Sequence, residues 1–152
     1  MNQAKHIYVV YIATTAEKLW KAITQGELAK QYWMHENVSD WKVGSRWSHV
    51  TADAARSERI VGKVLEVTPP TRLVMSWADP KDAADPKQHS RVTFDIEPLD
   101  EMVKLTVTHD ELVADSSMER GITRGWPLVL SSMKSFLETG KGLDIWAAKK
   151  PA

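Results

Sequence analysis

Apolar and polar residues alternate with a period of two through the middle of this chain, and recur at helical spacing near both ends. Residues 7–12 are a short run of apolar, β-branched and aromatic side chains, read as a first strand. Thr14 and Glu17 stand at capping-box spacing. Ala16, Leu19, Trp20 and Ile23 then repeat as one face of a helix, with Gly26 as its stop. Residues 27–33 make a second short helix. The next strand, 44–51, places Ser45, Trp47 and His49 on one side, because successive side chains point to opposite faces.

Two strands follow, 57–67 and 71–77, joined by a tight Pro69-Pro70 turn that cannot continue a ladder. The stretch 79–89 is rich in Asp, Pro and Lys and reads as a polar loop. Val92, Phe94 and Ile96 alternate with polar residues, as do Val103, Leu105 and Val107, giving two half-buried strands around a turn at 99–101. Ser116 and Glu119 can cap a helical turn, and Gly121 and Gly125 loosen that region. The main C-terminal helix is expected to begin near Trp126-Pro127, since proline is tolerated in a first turn. Trp126, Val129, Leu130, Met133, Phe136 and Leu137 form its apolar stripe, and Gly140 its C-cap. The order predicts an α+β fold: an antiparallel sheet of about six strands, two short helices after the first strand, and one sheet face covered by the long helix.

Composition narrows the functional classes. The 152 residues favour a single domain, 1–152, with no linker or repeat to divide it. Twenty basic residues balance twenty acidic ones, so nothing argues for nucleic acid or an anionic membrane as partner. With no cysteine, disulfide and thiolate chemistry are excluded, and a cytoplasmic location fits. The polar start runs directly into a strand with no secretory leader pattern, and no apolar run approaches the roughly 20 residues that span a bilayer, so membrane insertion is not expected. Seven tryptophans is an unusual count, compatible with an aromatic core or an aromatic pocket.

Four segments carry a family resemblance. Ala16 to Ile23, with Leu19-Trp20-Lys21-Ala22, resembles a first helix; Tyr32-Trp33 the aromatic end of a second; residues 62–77 a central hairpin; and Gly125-Trp126 with its stripe the start of a long helix. Together, over about residues 7–140, they resemble the helix-grip superfamily of START-like and birch-pollen-allergen-like (SRPBCC) domains. Within it they resemble the family named for the C-terminal domain of the activator of the ninety-kilodalton heat-shock protein's ATPase (AHSA-like). The chain departs from that pattern at Gly44-Ser45-Arg46-Trp47, where a Gly-Gly pair is usual, and at Tyr32-Trp33-Met34-His35, where two tryptophans are. The resemblance implies a curved sheet gripping the long helix, with an apolar cavity between them. It implies no cofactor. Relatives use that cavity to hold lipids, steroids, polyketides or other small apolar molecules; a minority are cyclases or aromatases, eukaryotic relatives stimulate the chaperone's ATPase, and the free-standing single domain resembles bacterial members, whose ligands are mostly unassigned.

If the helix covers the concave face, alternation turns Trp47 and His49 inward, with Leu73, Met75 and Trp77, Phe94 and Ile96, and Leu105 and Val107 from the following strands. Trp126, Val129, Leu130 and Met133 would close the top. A solid core fits that pattern, and so does a ligand-sized cavity lined by these residues. His49 is the most interesting polar candidate: an imidazole on the face of Trp47 can hold a ligand's polar end, act as acid or base, or be a hydrogen-bonded structural residue. His109 ends its strand in this reading, His35 and His89 fall in loops, and His6 is near the terminus; none has metal-ligand spacing, and no metal is expected. Asp79, Asp82 and Asp85 read as a solvated turn, and Arg46 and Arg91 as rim cations.

Three functions remain in play. Binding of a small apolar molecule ranks first. A cyclase- or aromatase-type enzyme ranks second, and requires buried titratable groups converging on the cavity, such as His49 with Tyr8. A co-chaperone ranks third. Ile145 and Trp146 in the tail offer a surface for docking on the body or for a homodimer.

Overall fold

The computed structural model describes residues 2–145; Trp146, with the remainder of the tail, lies outside the described residues. The chain begins with β1 (Gln3–Ile12), α1 (Ala16–Thr24) and α2 (Gly26–Trp33). Six more strands follow, β2 (His35–Val38), β3 (Arg46–Thr51), β4 (Glu58–Thr68), β5 (Arg72–Trp77), β6 (Ser90–Pro98) and β7 (Val103–Val113), and then the long α3 (Ser117–Thr139). The sheet has the order β1-β7-β6-β5-β4-β3-β2 and every pairing in it is antiparallel. This is the expected α+β helix-grip architecture. The sheet has seven strands among the described residues, one more than expected.

The additional strand is β2, and it places His35 in a strand rather than a loop. Its sequence, His-Glu-Asn-Val, carries no apolar alternation, yet His35 and Asn37 are buried. Burial of polar groups at such positions is tolerated because both are hydrogen-bonded, His35 Nδ1 with the Trp33 carbonyl and Asn37 Nδ2 to the Ile23 carbonyl. Bulges interrupt the ladders between Ala4 and His6, His49 and Val50, and Val64 and Glu66, where they add bend and twist to the sheet.

The hairpin of β4 and β5 turns at Pro69-Pro70, whose peptide is cis. Gly62 lies in β4 where a Cβ would collide with the Ser76 carbonyl and come within 2.6 Å of the Trp47 indole nitrogen. Glycine therefore lets Trp47 reach across the strand and donate from Nε1 to the Ser76 carbonyl at 2.7 Å.

The helix starts differ from the expected ones. Thr15, not Thr14, caps α1, accepting from the Lys18 amide, and Gly26 opens α2 instead of closing α1. The long helix starts at Ser117 rather than Trp126. Ser116 is its N-cap, accepting from the Glu119 amide, and Glu119 reaches back to the Asp115 amide and to His6 Nε2 at 2.7 Å. Pro127 thus sits inside the helix, where it forgoes one backbone hydrogen bond. Gly140, with φ of 87°, ends the helix as expected.

The core lies between α3 and the concave sheet face. Leu73, Met75, Phe94, Leu105, Leu130 and Met133 belong to one buried cluster, together with Trp47. Ser132 donates to the Tyr32 carbonyl at 2.7 Å, tying α3 to α2. Among the described residues no helix is long and apolar enough to cross a membrane.

Candidate functional site

A cleft of about 660 Å³ opens between the N-terminal half of α3 and the end of the sheet formed by β2, β3, β4 and β5. Its aromatic wall comes from three elements: Trp33 ends α2, Trp77 ends β5, and Trp126 projects from α3. The Trp126 ring lies 5.6 Å from Trp33 and 5.6 Å from Trp77, both tilted. Ile122, Val129 and Ile145 add aliphatic surface, so the tail residue Ile145 docks on the body and is buried. Met34, Asp53 and Arg59 form an exposed rim. Gly121 and Gly125 lie one helical turn apart on the face of α3 that borders the cleft.

The polar lining is organised by hydrogen bonds. His35 and His49 stack face to face, 4.6 Å between centroids at 6°, and Trp33 stands 4.5 Å from His49. Asn37 donates through Nδ2 to the Ile23 carbonyl at 2.8 Å, which aims its Oδ1 at His49. His49 Nδ1 donates to that oxygen at 2.7 Å, which fixes the orientation of the imidazole against the cleft.

A second histidine supports the cleft from behind. His109 stands within β7 and is fully buried, rather than ending its strand at a rim. Trp126 Nε1 donates to His109 Nδ1 at 3.0 Å, so the ring's proton resides on Nε2, which bonds the Ser90 hydroxyl at 2.8 Å. Ser90 in turn donates to the Trp77 carbonyl at 3.1 Å. Desolvation by burial pushes the His109 pKa down to about 3, outweighing the opposing pull of Asp110. The imidazole is therefore neutral at neutral pH and holds Trp126 in place.

Of the residues expected to line a cavity, His49, Trp77, Trp126 and Val129 border the cleft. Trp47, Leu73, Met75, Phe94, Leu105, Leu130 and Met133 are buried beneath it in the core, and are absent from its lining. Two of them back the aromatic wall: Trp47 packs 5.4 Å from Trp77, and Phe94 meets Trp126 edge-on at 5.9 Å. Sequence reasoning missed Trp33, His35, Arg59, Gly121, Ile122 and Gly125. Ile122 extends the stripe of Trp126 and Val129 back by one turn, and that periodicity was the available signal. His35 offered none, since a polar four-residue strand has no apolar pattern.

The remaining candidates take structural places. Tyr8, on β1, does not line the cleft, so it does not converge with His49; His35 does. Asp79 and Asp85 accept from the Lys81 and Lys87 amides and cap two single-turn helices in the 79–89 loop. Arg46 pairs with Glu58 at 2.7 Å and Arg91 with Asp110 at 2.8 Å.

Comparison with known proteins agrees with the fold. The profile of the family described as activator of Hsp90 ATPase homolog 1-like protein matches residues 13–138. Among solved structures, the Aha1 dimer from Colwellia psychrerythraea is 20% identical, with a TM-score of 0.75, covering 91% of this chain and 99% of that one. DynU16, a protein in the dynemicin biosynthetic locus, is 19% identical with a TM-score of 0.73, covering 91% of this chain and 48% of that one. Protein MLL2253 from Mesorhizobium loti is 26% identical with a TM-score of 0.69, covering 87% and 96%. No curated protein matches the chain in sequence.

Proposed function

The chain belongs to the activator of Hsp90 ATPase homolog 1-like family, and from that premise and the geometry of the cleft we propose that it binds a small, flat, apolar molecule between α3 and the sheet. The observation that carries the proposal is the meeting of Trp33, Trp77 and Trp126 around a space of about 660 Å³. Clefts of about 300–1,000 Å³ with an apolar wall and a few placed polar groups are those that take small molecules. Tilted indoles offer both faces and edges to a ring, and each such aromatic pair adds about 0.5–1.5 kcal/mol beyond the area it buries. His49, Trp77, Trp126 and Val129 contact the ligand in this reading. Trp47, Leu73, Met75, Phe94, Leu105, Leu130 and Met133 set the shape of the wall from behind. The occurrence of DynU16 in a biosynthetic locus is consistent with a small-molecule ligand. A cytoplasmic location fits the absence of cysteine.

One observation favours a second reading. The stacked His35 and His49, with His49 oriented by Asn37, bring two imidazoles to the cleft, side chains of the kind an enzyme acting on the same ligand uses for proton transfer. His49→Gln separates the two readings: an enzyme loses turnover by about a hundredfold or more, whereas a binding protein has no turnover to lose and shows only the change in affinity of one ligand contact. The dimeric state of the Colwellia relative supports a homodimer here, and a monomer by light scattering at high concentration contradicts it.

Native mass spectrometry of the purified protein, set against its denatured mass, tests the binding proposal. A stoichiometric adduct lost on denaturation supports it. No adduct, together with no uptake of an added naphthalene, contradicts it.

A further inference from the structure

We propose that the ligand is an amphiphile, with a flat ring body among the indoles and an uncharged, hydroxyl-bearing arm that passes Gly121 into a second chamber beneath the 79–89 loop. The inference rests on the binding function proposed above and specifies its ligand class. A second cleft, of about 390 Å³, shares Ile60, Trp77, Gly121 and Ile122 with the first. Four common residues make the two spaces neighbours across a single waist.

The chemistry changes across that waist. The first chamber is walled mainly by tryptophan and aliphatic side chains. The second keeps apolar surface at Leu112, Val113 and Met118, and adds Asp79, Lys81, Asp82, Gln88, Ser116 and Ser117, which bring amide, hydroxyl, carboxylate and ammonium groups to its border. Two carboxylates, Asp79 and Asp82, and one ammonium, Lys81, border this chamber, so its small net charge does not strongly favour an ionic ligand. Donors and acceptors side by side suit hydroxyl groups, which do both.

Two features of the waist support a molecule that runs through it. A Cβ built on Gly121 meets no atom within 4 Å, so the helix surface there faces open space. The Trp77 indole N–H, on the ring common to both chambers, is buried without a hydrogen-bond partner. A buried donor left so costs about 1–3 kcal/mol. An ether or carbonyl oxygen joining ring body to arm would remove that cost.

The test uses the full chain and a matched pair of probes, β-naphthyl methyl ether and β-naphthyl glyceryl ether, titrated by calorimetry. The account expects the glyceryl ether to bind the unmodified protein about tenfold more tightly, the worth of one or two added hydrogen bonds. Gly121→Leu fills the waist that both chambers share; it weakens the glyceryl ether more than the methyl ether and abolishes that gain. Gly121→Ala, with a methyl group in open space, keeps the gain. If the methyl ether binds but the glyceryl arm adds nothing, or if Gly121→Leu weakens both probes equally, the amphiphile inference is wrong while the binding function stands. If neither probe binds, the binding function fails and this inference fails with it. Should the leucine variant not fold, the comparison of the two ethers on the unmodified protein decides alone.

Discussion

The two halves of α3 lie over the same sheet and do different things. The C-terminal half contributes Leu130 and Met133, which are buried with Leu73, Met75, Phe94 and Leu105 and border no part of the cleft. The N-terminal half presents Gly121, Ile122, Gly125 and Trp126, and the cleft lies beneath it. Both halves are helical and capped, so backbone does not explain the difference. Side-chain volume does. Where the helix carries branched or long apolar residues, the space between layers fills to the density usual of a protein interior. Where it carries glycine at one-turn spacing, the layers stay apart and the indoles bridge only part of the gap. A binding cleft and a core can thus be cut from one helix–sheet interface by the choice of a few residues.

The largest effect that would sharpen this contrast comes from truncation. Met133→Ala removes fully buried volume where nothing can collapse to replace it, and is expected to cost about 2–5 kcal/mol. Ile122→Ala, which only widens an existing cleft, is expected to cost less than about 2 kcal/mol. Equal losses in denaturant unfolding would break the distinction between a filled half and an open one.

The second effect is a pH dependence rooted behind the cleft. The His109 pKa is lowered from 6.5 to about 3 by burial, with Asp110 opposing and His6 assisting. As pH falls through this window, the unfolded chain's imidazole takes up a proton that the folded one refuses. Stability is therefore complete above about pH 6.5 and declines toward pH 3, with a slope from this residue of at most about 1.4 kcal/mol per pH unit. His109→Leu, although less stable at neutral pH because Trp126 and Ser90 lose their partner, flattens that slope. An unchanged slope would show that His109 is not the group responsible.

A smaller effect has the opposite sign. Gly121→Ala adds a methyl group to open space in a helix interior, and is expected to stabilise the protein by up to about 1 kcal/mol. A loss of stability there would mean that the space is not open.

The halves of α3 also differ in how far their sequence reveals them. The filled half continues an apolar stripe through Leu130, Met133, Phe136 and Leu137, and was legible as a helix. The open half is broken by Gly121, Gly125 and Pro127, each a reason to place a helix start later; packing over the cleft and the Ser116–Glu119 cap override them. The hairpin through Gly62 and Trp77 was legible because a tight turn and close strand approach restrict residue choice. The polar strand β2 and the buried His109 were not. Their burial is offset by specific hydrogen bonds, with Ile23 and Trp33 for the first and Ser90 and Trp126 for the second; only Trp33 is near in sequence, and no local pattern announces the others. The candidate site was legible only where it coincided with strand alternation, at His49 and Trp77, or with the helical stripe, at Trp126 and Val129.

The most direct test of the central claim follows the indole N–H signals of the ¹⁵N-labelled protein, each assigned by a tryptophan-to-phenylalanine variant, as β-naphthyl methyl ether is added. If the cleft under the N-terminal half of α3 is the binding site, the signals of Trp33, Trp77 and Trp126 move saturably and together. Those of Trp20 on α1 and of Trp41, whose indole donates to the Thr24 carbonyl, stay in place. Saturable shifts at Trp20 or Trp41 with none at Trp126 would put the ligand elsewhere on the molecule and contradict the account.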